Sequence, residues 1–262
     1  MKIAWAFLRR DWFRQTSYRL FFVGQVVQMV VLVGVIYLIG SAVAGVAGFT
    51  IGLEYVRFLL VGIACADIFT ACVQAGPNTL RDAQVTGTLE TMMVAPIRAI
   101  QLVFASTLFP IMRSLVRASI VLTVGAVAFR FWPNADLIGG FLVVVPAYIV
   151  FAAVSLLGAS YVLAFKQGDP VTGVFMAVNG IIGGAVIPVT ALPWLLQIVG
   201  MVLPLTHAVA GVRDALNGAS PAALAPHILA LWLSAAILIP AAALSFQACL
   251  RIAGKDGSLV HY

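Results

Sequence analysis

The chain has 262 residues, 63% of them apolar and 9% charged, with a mean hydropathy of +1.09. A soluble domain carries about 25% charged residues, so this composition excludes a water-soluble globular protein; the length suits an integral membrane bundle of about six helices at roughly 20 residues per span. The formal charge of +6 does not indicate nucleic acid, because the basic residues lie in short segments beside apolar runs, as in cytoplasmic loops under the positive-inside rule.

Residues 2–19 interleave Trp5, Phe7, Leu8, Trp12 and Phe13 with Arg9, Arg10, Arg14 and Arg19. Basic residues on one side and aromatics on the other predict a helix lying in the membrane interface. A plain polybasic anchor is the alternative, and both place the segment on the cytoplasmic side. No cleavable signal peptide is expected, since charges run throughout Met1–Arg19 and no compact apolar region precedes a small-residue cleavage site. Residues 20–53 carry no formal charge, which predicts a first span at 20–44 and an outer turn through Gly45, Gly48 and Gly52. A second span is predicted at 54–76, a polar-rich stretch at 77–98, and a third span within 99–129, longer than one crossing needs.

Arg130, Pro133, Asn134 and Asp136 predict an outer turn, followed by a fourth span at 137–165. In "KQGDP", residues 166–170, Gly168 and Pro170 stop one helix and start the next, giving a fifth span at 170–187. Residues 188–226 are largely apolar but broken by Pro188, Pro193, Pro204, Pro221 and Pro226. A straight span does not tolerate that density of proline, so short re-entrant or interfacial helices on the outer side are expected. The last span is predicted at 227–250, before a cytoplasmic tail. On this layout ten basic residues fall inside (Lys2, Arg9, Arg10, Arg14, Arg19, Arg81, Arg98, Lys166, Arg251, Lys255) and three outside (Arg57, Arg130, Arg213), which puts both termini in the cytoplasm.

The stretch 77–98 is too long for a tight turn. Pro77 and Asn78 read as a helix start, and Leu80, Val85, Leu89 and Met92 would form an apolar strip with Arg81, Asp82 and Glu90 toward water. Such a strip suits either a docking surface or an amphipathic connector lying on lipid. "LRDAQVTGTLETMMVAPIRAIQLVFAS", residues 80–106, resembles the cytoplasmic signature of permease subunits in the ABC-2 class of ATP-binding-cassette exporters. The matching residues are Arg81, Gly87, Thr88, Leu89, Glu90 and Pro96, and Leu80 stands where many members carry Glu. The segment from Pro188 to Arg213 resembles the family's outer segment through Pro188, Leu192, Pro193, Pro204, Leu205 and Arg213.

That resemblance runs over the whole chain. It implies an all-α membrane domain with an interfacial N-terminal helix, six spans, a cytoplasmic coupling helix between the second and third, and re-entrant outer helices between the last two. It also implies a bacterial inner-membrane exporter: two permease copies or paralogues pair, and a separate ATPase subunit docks on residues 79–95 and the N-terminal helix. The cargo would be a drug, a lipid or a lipid-linked glycan. No phosphate-binding loop is read in the chain, because Gly254-Lys255 is followed by Asp256 and lacks the upstream glycine. The chain is therefore expected to be non-catalytic and to bind no cofactor, with ATP and Mg in the partner. An ATP-independent channel or secondary carrier is the alternative.

Ionisable groups at membrane depth cost roughly 2.5–3.5 kcal/mol on insertion scales and tend to be paired or to face water. Asp67 lies midway along the second span, with Arg113 and Arg117 at i, i+4 spacing on the third. Either Asp67 pairs with one of these arginines and lines a path, or the arginines snorkel to the interface. Cys65, Cys72 and Cys249 read as small buried hydrophobes, and no metal role is expected for His207, His227 or His261. Gly173, Gly180, Gly183 and Gly184 suit a close helix approach, at a dimer seam or in ordinary packing. Phe21, Phe22, Phe58 and Phe69 are path-lining candidates by analogy alone, against ordinary packing.

Overall fold

The computed structural model describes residues 27–28, 31, 34–35, 38, 52–87, 99–129, 136–165 and 170–255. The described residues contain helices and no strand: α1 (Gly52–Val85), α2 (Ala99–Ala128), α3 (Leu137–Phe165), α4 (Pro170–Ile182), a short 3-10 turn (Val189–Ala191), α5 (Trp194–Val202), α6 (Pro204–Leu216) and α7 (Pro221–Lys255). Among the described residues four helices are long and apolar enough to cross a membrane, and a fifth crossing is available if α5 and α6, bent by 82°, count as one. The chain is a multi-pass membrane protein. The N-terminal segment 2–19 and most of the first predicted span, 20–44, lie outside the described residues.

α3 is the central helix. It is apolar all round, as a membrane-spanning helix is, and it packs against α1, α6 and α7. Phe69 of α1 meets Phe151 of α3 edge-on at 4.8 Å between ring centres, in a cluster that includes Val143, Val150, Leu205, Val209 and Leu231. A second cluster gathers Leu80 and Ala83 of α1, Leu156 and Leu163 of α3, and Phe246 of α7. α2 packs on α1 through Leu59, Leu60 and Val121. α3 begins at a cap: Asp136 accepts from the Ile138 N–H at 3.1 Å, and its own N–H reaches the Ala215 carbonyl at 2.9 Å.

Helix boundaries depart from expectation at three breaks. Pro77 does not start a new helix, because α1 runs unbroken through it to Val85. A proline inside a helix obstructs the carbonyl four residues back and removes a donor. Around it the Gly76 N–H donates to Ser155 Oγ of α3 at 2.8 Å, and Thr79 Oγ1 donates to the Ala75 carbonyl at 2.7 Å. These bonds tie the backbone beside the proline to α3 and to the next turn. α4 stops at Ile182, short of the expected 187, and Gly184 turns the chain with φ +72°. Its 13 residues span about 20 Å, less than a hydrocarbon core of about 30 Å. α7 begins at Pro221 and carries Pro226 and Pro240 inside it, so the last helix includes two prolines assigned above to the outer segment.

Two ends of the bundle can be distinguished. At one, the hairpin end, α6 meets the starts of α1, α3 and α7, and α5 packs on α4 and α6. At the other, the Val85 end, α1, α3 and α7 close around Leu80, Leu163 and Phe246.

Candidate functional site

At the Val85 end, Arg81 and Asp82 are exposed, and the chain leaves α1 through Thr86 and Gly87. Gly87 adopts φ +66°, the left-handed conformation that ends helices and strains any residue with a Cβ. Leu80 does not join an exposed strip. It is 1% exposed, packed between α3 and α7, while Val85 is 82% exposed. The side chain that replaces the family's Glu at this position is therefore a core residue. Gln84 is also turned inward, its amide donating to the Val162 carbonyl at 3.2 Å. Thr88, Leu89, Glu90 and Pro96, and likewise Trp5, Arg9, Arg10, Trp12 and Arg14, lie outside the described residues.

Midway along the bundle, Nη2 of Arg117 lies 2.6 Å and 2.7 Å from the two carboxylate oxygens of Asp67, and 3.2 Å from Ser114 Oγ. The pair bridges α1 and α2 and is partly open, with side-chain exposures of 24% and 35%. Arg113 lies one turn before Arg117, half-buried, and its Nε has no hydrogen-bond partner. On another face of the same helices an apolar cavity of about 180 Å³ is lined by Cys65, Cys72, Leu115, Leu122, Tyr148 and Phe151, among others. The Tyr148 and Thr107 hydroxyls share a hydrogen bond at 3.1 Å. Phe69 is buried in the core, while Phe58 packs under an arginine. Phe21 and Phe22 fall outside the described residues.

That arginine, Arg213 of α6, organises the hairpin end. Its Nη1 donates to the Gly184 carbonyl at 2.8 Å, and its Nη2 to the carbonyls of Phe58 at 2.9 Å and Ala185 at 3.1 Å. Its guanidinium lies 3.4 Å from the centre of the Phe58 ring, a cation–π contact. The five-donor guanidinium suits this task, because the chain after α4 exposes carbonyls that no helix partner takes. Tyr55 adds a hydrogen bond to the Val186 carbonyl at 3.3 Å. Gly62 leaves the room: a Cβ there would sit 1.9 Å from the Ala185 oxygen and 2.6 Å from Arg213 Nη2. Gly183 packs close to the Asn179 carbonyl, whereas Gly173 and Gly180 of α4 face open space.

Sequence reasoning placed Arg213 in the outer segment without seeing that it joins three carbonyls from two elements. It also missed the chain Asp214–His227–His207. Asp214 lies seven residues after His207, two turns along one face of α6, and that spacing was the available signal.

A helical bundle with several membrane-length helices, an ion pair between two of them and a hairpin of broken helices defines a multi-pass membrane protein. The profile of the ABC-2 family transporter proteins matches residues 44–244, about three quarters of the chain. The chain belongs to the ABC-2 transporter family. Among curated proteins, none matches it.

Proposed function

We propose that this chain is the transmembrane permease subunit of an ATP-driven exporter in a bacterial inner membrane, with six spans and both termini cytoplasmic. It pairs with a second permease copy or a paralogue and works with a separate ATPase that carries ATP and Mg. Its cargo is amphipathic or hydrophobic: a drug, a lipid or a lipid-linked glycan. Residues 79–95, with Arg81, Gly87, Thr88, Leu89 and Glu90, act as the coupling helix, and Asp67, Arg113 and Arg117 lie along or beside the path.

The observation that carries this reading is the family match over residues 44–244, which contains both the coupling segment and the broken outer segment. Two further features support it. α1 continues past the expected span to an exposed Arg81 and Asp82 and a glycine-specific turn at Gly87, as a lever that receives a push would. The apolar cavity beside Tyr148 suits an apolar cargo better than a bare polysaccharide. ATP binding to the partner would act by favouring one conformation over another.

The test is co-purification with the candidate ATPase. Wild type should hold it, while Glu90→Arg and Gly87→Trp lose it and keep the wild-type melting profile. An ATPase retained equally by all three, with hydrolysis still coupled to transport, would reduce residues 79–98 to a connector and favour a carrier.

A further inference from the structure

At the hairpin end a polar chain runs from α5 through α6 to α7. His207 of α6 places Nε2 2.7 Å from the carbonyl oxygen of Met201 and Nδ1 3.3 Å from Nδ1 of His227 on α7. On its other side, His227 Nε2 lies 3.4 Å from Oδ2 of Asp214. The chain ends in a backbone carbonyl on one side and a carboxylate on the other, and both are acceptors. Three contacts in series between two acceptors require three hydrogens, one for each. Two neutral imidazoles supply one each. With two hydrogens, one contact sets lone pair against lone pair; a third proton completes the series.

The ring geometry identifies the cation that fits. The ring centres are 5.6 Å apart and the facing nitrogens 3.3 Å apart. The difference is about one imidazole width, so both nitrogens lie close to the line joining the ring centres. Their lone pairs meet head-on, which suits a shared proton in a straight N–H···N bond. A tetrahedral metal would need them to converge at an angle. Among the described residues, no three His, Cys, Asp or Glu side chains group around a metal position.

We propose that His207 and His227 form a proton-binding site that latches α6 to α7, closed when the pair holds one extra proton and loosened when that proton leaves. The surroundings set the charge balance. Asp214 faces His227 and offsets the added charge. Arg213, its neighbour on α6, points the other way onto Phe58. Asp136, before α3, is engaged at the α3 amino end. α5 holds no titratable side chain and contributes the Met201 carbonyl. α3 presents Val143 beside Gly211 and His227, and its Tyr148 is turned to Thr107. α6 and α7 also share a core cluster through Leu205, Val209, Leu224 and Leu231 and are joined by the short turn at 217–220, so this bond adds a directional tie across a packed pair. The latch holds at low pH and releases as pH rises and the shared proton leaves.

The test uses the full chain in lipid nanodiscs, treated with EDTA and labelled with ¹⁵N at its three histidines, with His261 assigned through His261→Gln. Nitrogen spectra at low pH should show three N–H groups on the His207–His227 pair, falling to two at high pH in one titration. In Asp214→Asn that titration should move to lower pH. Amide exchange in α6, corrected for intrinsic pH effects, should quicken roughly tenfold or more as the proton leaves, the scale of one charge-assisted bond. In His227→Gln it should show no such step. Two N–H groups at every pH, or independent titration of the two rings, would overturn the proposal. So would a low-pH signature that appears only after zinc is added, because the site would then be a metal site.

Discussion

Gly62→Ala probes the hairpin clamp at its tightest point. The added methyl would sit 1.9 Å from the Ala185 carbonyl oxygen and 2.6 Å from Arg213 Nη2. Neither neighbour yields alone, because the first is backbone and the second is held by three carbonyls and an aromatic ring. Overpacking of this kind costs about 1–3 kcal/mol. Any shift that relieves it weakens bonds to a charged donor, each contributing about 1.5–3 kcal/mol. Replacing glycine by alanine within a helix returns about 1 kcal/mol. The net loss is on the order of 3 kcal/mol, and at roughly 2–4 °C per kcal/mol for a chain near this size melting should fall by roughly 6–12 °C. The assay is thermal unfolding of purified wild type and variant in one detergent, with Gly140→Ala as control. At Gly140 the nearest atom to a new Cβ is the Ala215 Cβ at 3.9 Å, an ordinary contact, so that variant should melt at or slightly above wild type. A Gly62→Ala protein melting within about 2 °C of wild type would mean that the Ala185 carbonyl does not occupy the notch, and the clamp would have to be abandoned.

Arg117→Ala should destabilise by about 1–2 kcal/mol, a reduced figure because the Asp67–Arg117 pair is partly exposed; the double variant Asp67→Asn/Arg117→Ala should recover part of that loss in a double-mutant melting cycle, since it strands no carboxylate. Phe246→Ala removes a fully buried ring between α1, α3 and α7 and should cost about 3–5 kcal/mol, whereas Phe141→Ala, at a position 67% exposed, should leave melting nearly unchanged. Asp136→Ala deletes the α3 cap and should lower stability by about 1 kcal/mol, read as a small drop in melting temperature with the helix content retained.

How much was legible follows from what each signal measures. The apolar run at 137–165 and the long apolar segment at 99–129 coincide with α3 and α2, because unbroken hydropathy over that length has one structural outcome in a membrane. Proline is a local signal, and its meaning was decided elsewhere in the chain. At Pro77 the helix continues, packed against α3, with the neighbouring Gly76 N–H donating to Ser155 of that helix. At Pro188, Pro193 and Pro204 the chain breaks into α5 and α6, and Gln197 and His207 meet the carbonyls of Leu192 and Met201 left at the breaks. Leu80 read as half of an amphipathic strip because the partners that bury it, Leu163 and Phe246, lie far away in sequence. The ion pair was visible in outline, since one acid and two arginines on adjacent helices have few alternatives. The role of Gly62 was not visible. A glycine that makes room for another helix break looks like any other glycine until the break is in place.

The two ends of the bundle are held by different kinds of force, and that difference bears on how the molecule would move. The Val85 end is closed by volume: Leu80, Leu156, Leu163 and Phe246 interlock without a directional bond among them. Packing of this kind resists separation but is short in range and works only as a jigsaw. At the hairpin end α6 is packed into the core through Leu205 and Val209, but the chain after α4 and α5 is held by a few directional bonds onto its backbone, from Arg213 to Gly184 and Ala185, from Tyr55 to Val186, and from His207 to Met201. Such bonds fail over a displacement of about 1 Å, since alignment and distance are lost together. α5 adds little core to oppose that, with Gly200 its one buried residue and Trp194, Ile198 and Met201 exposed. Segments with few buried contacts are those that open at low cost, while a tightly packed end transmits displacement as a rigid body. A push delivered to α1 near Val85 would therefore travel up the helix to Phe58 and Gly62, where α1 meets Arg213. On the proposed function, the clamp would sit where a movement of α1 becomes a choice between a held and a released hairpin.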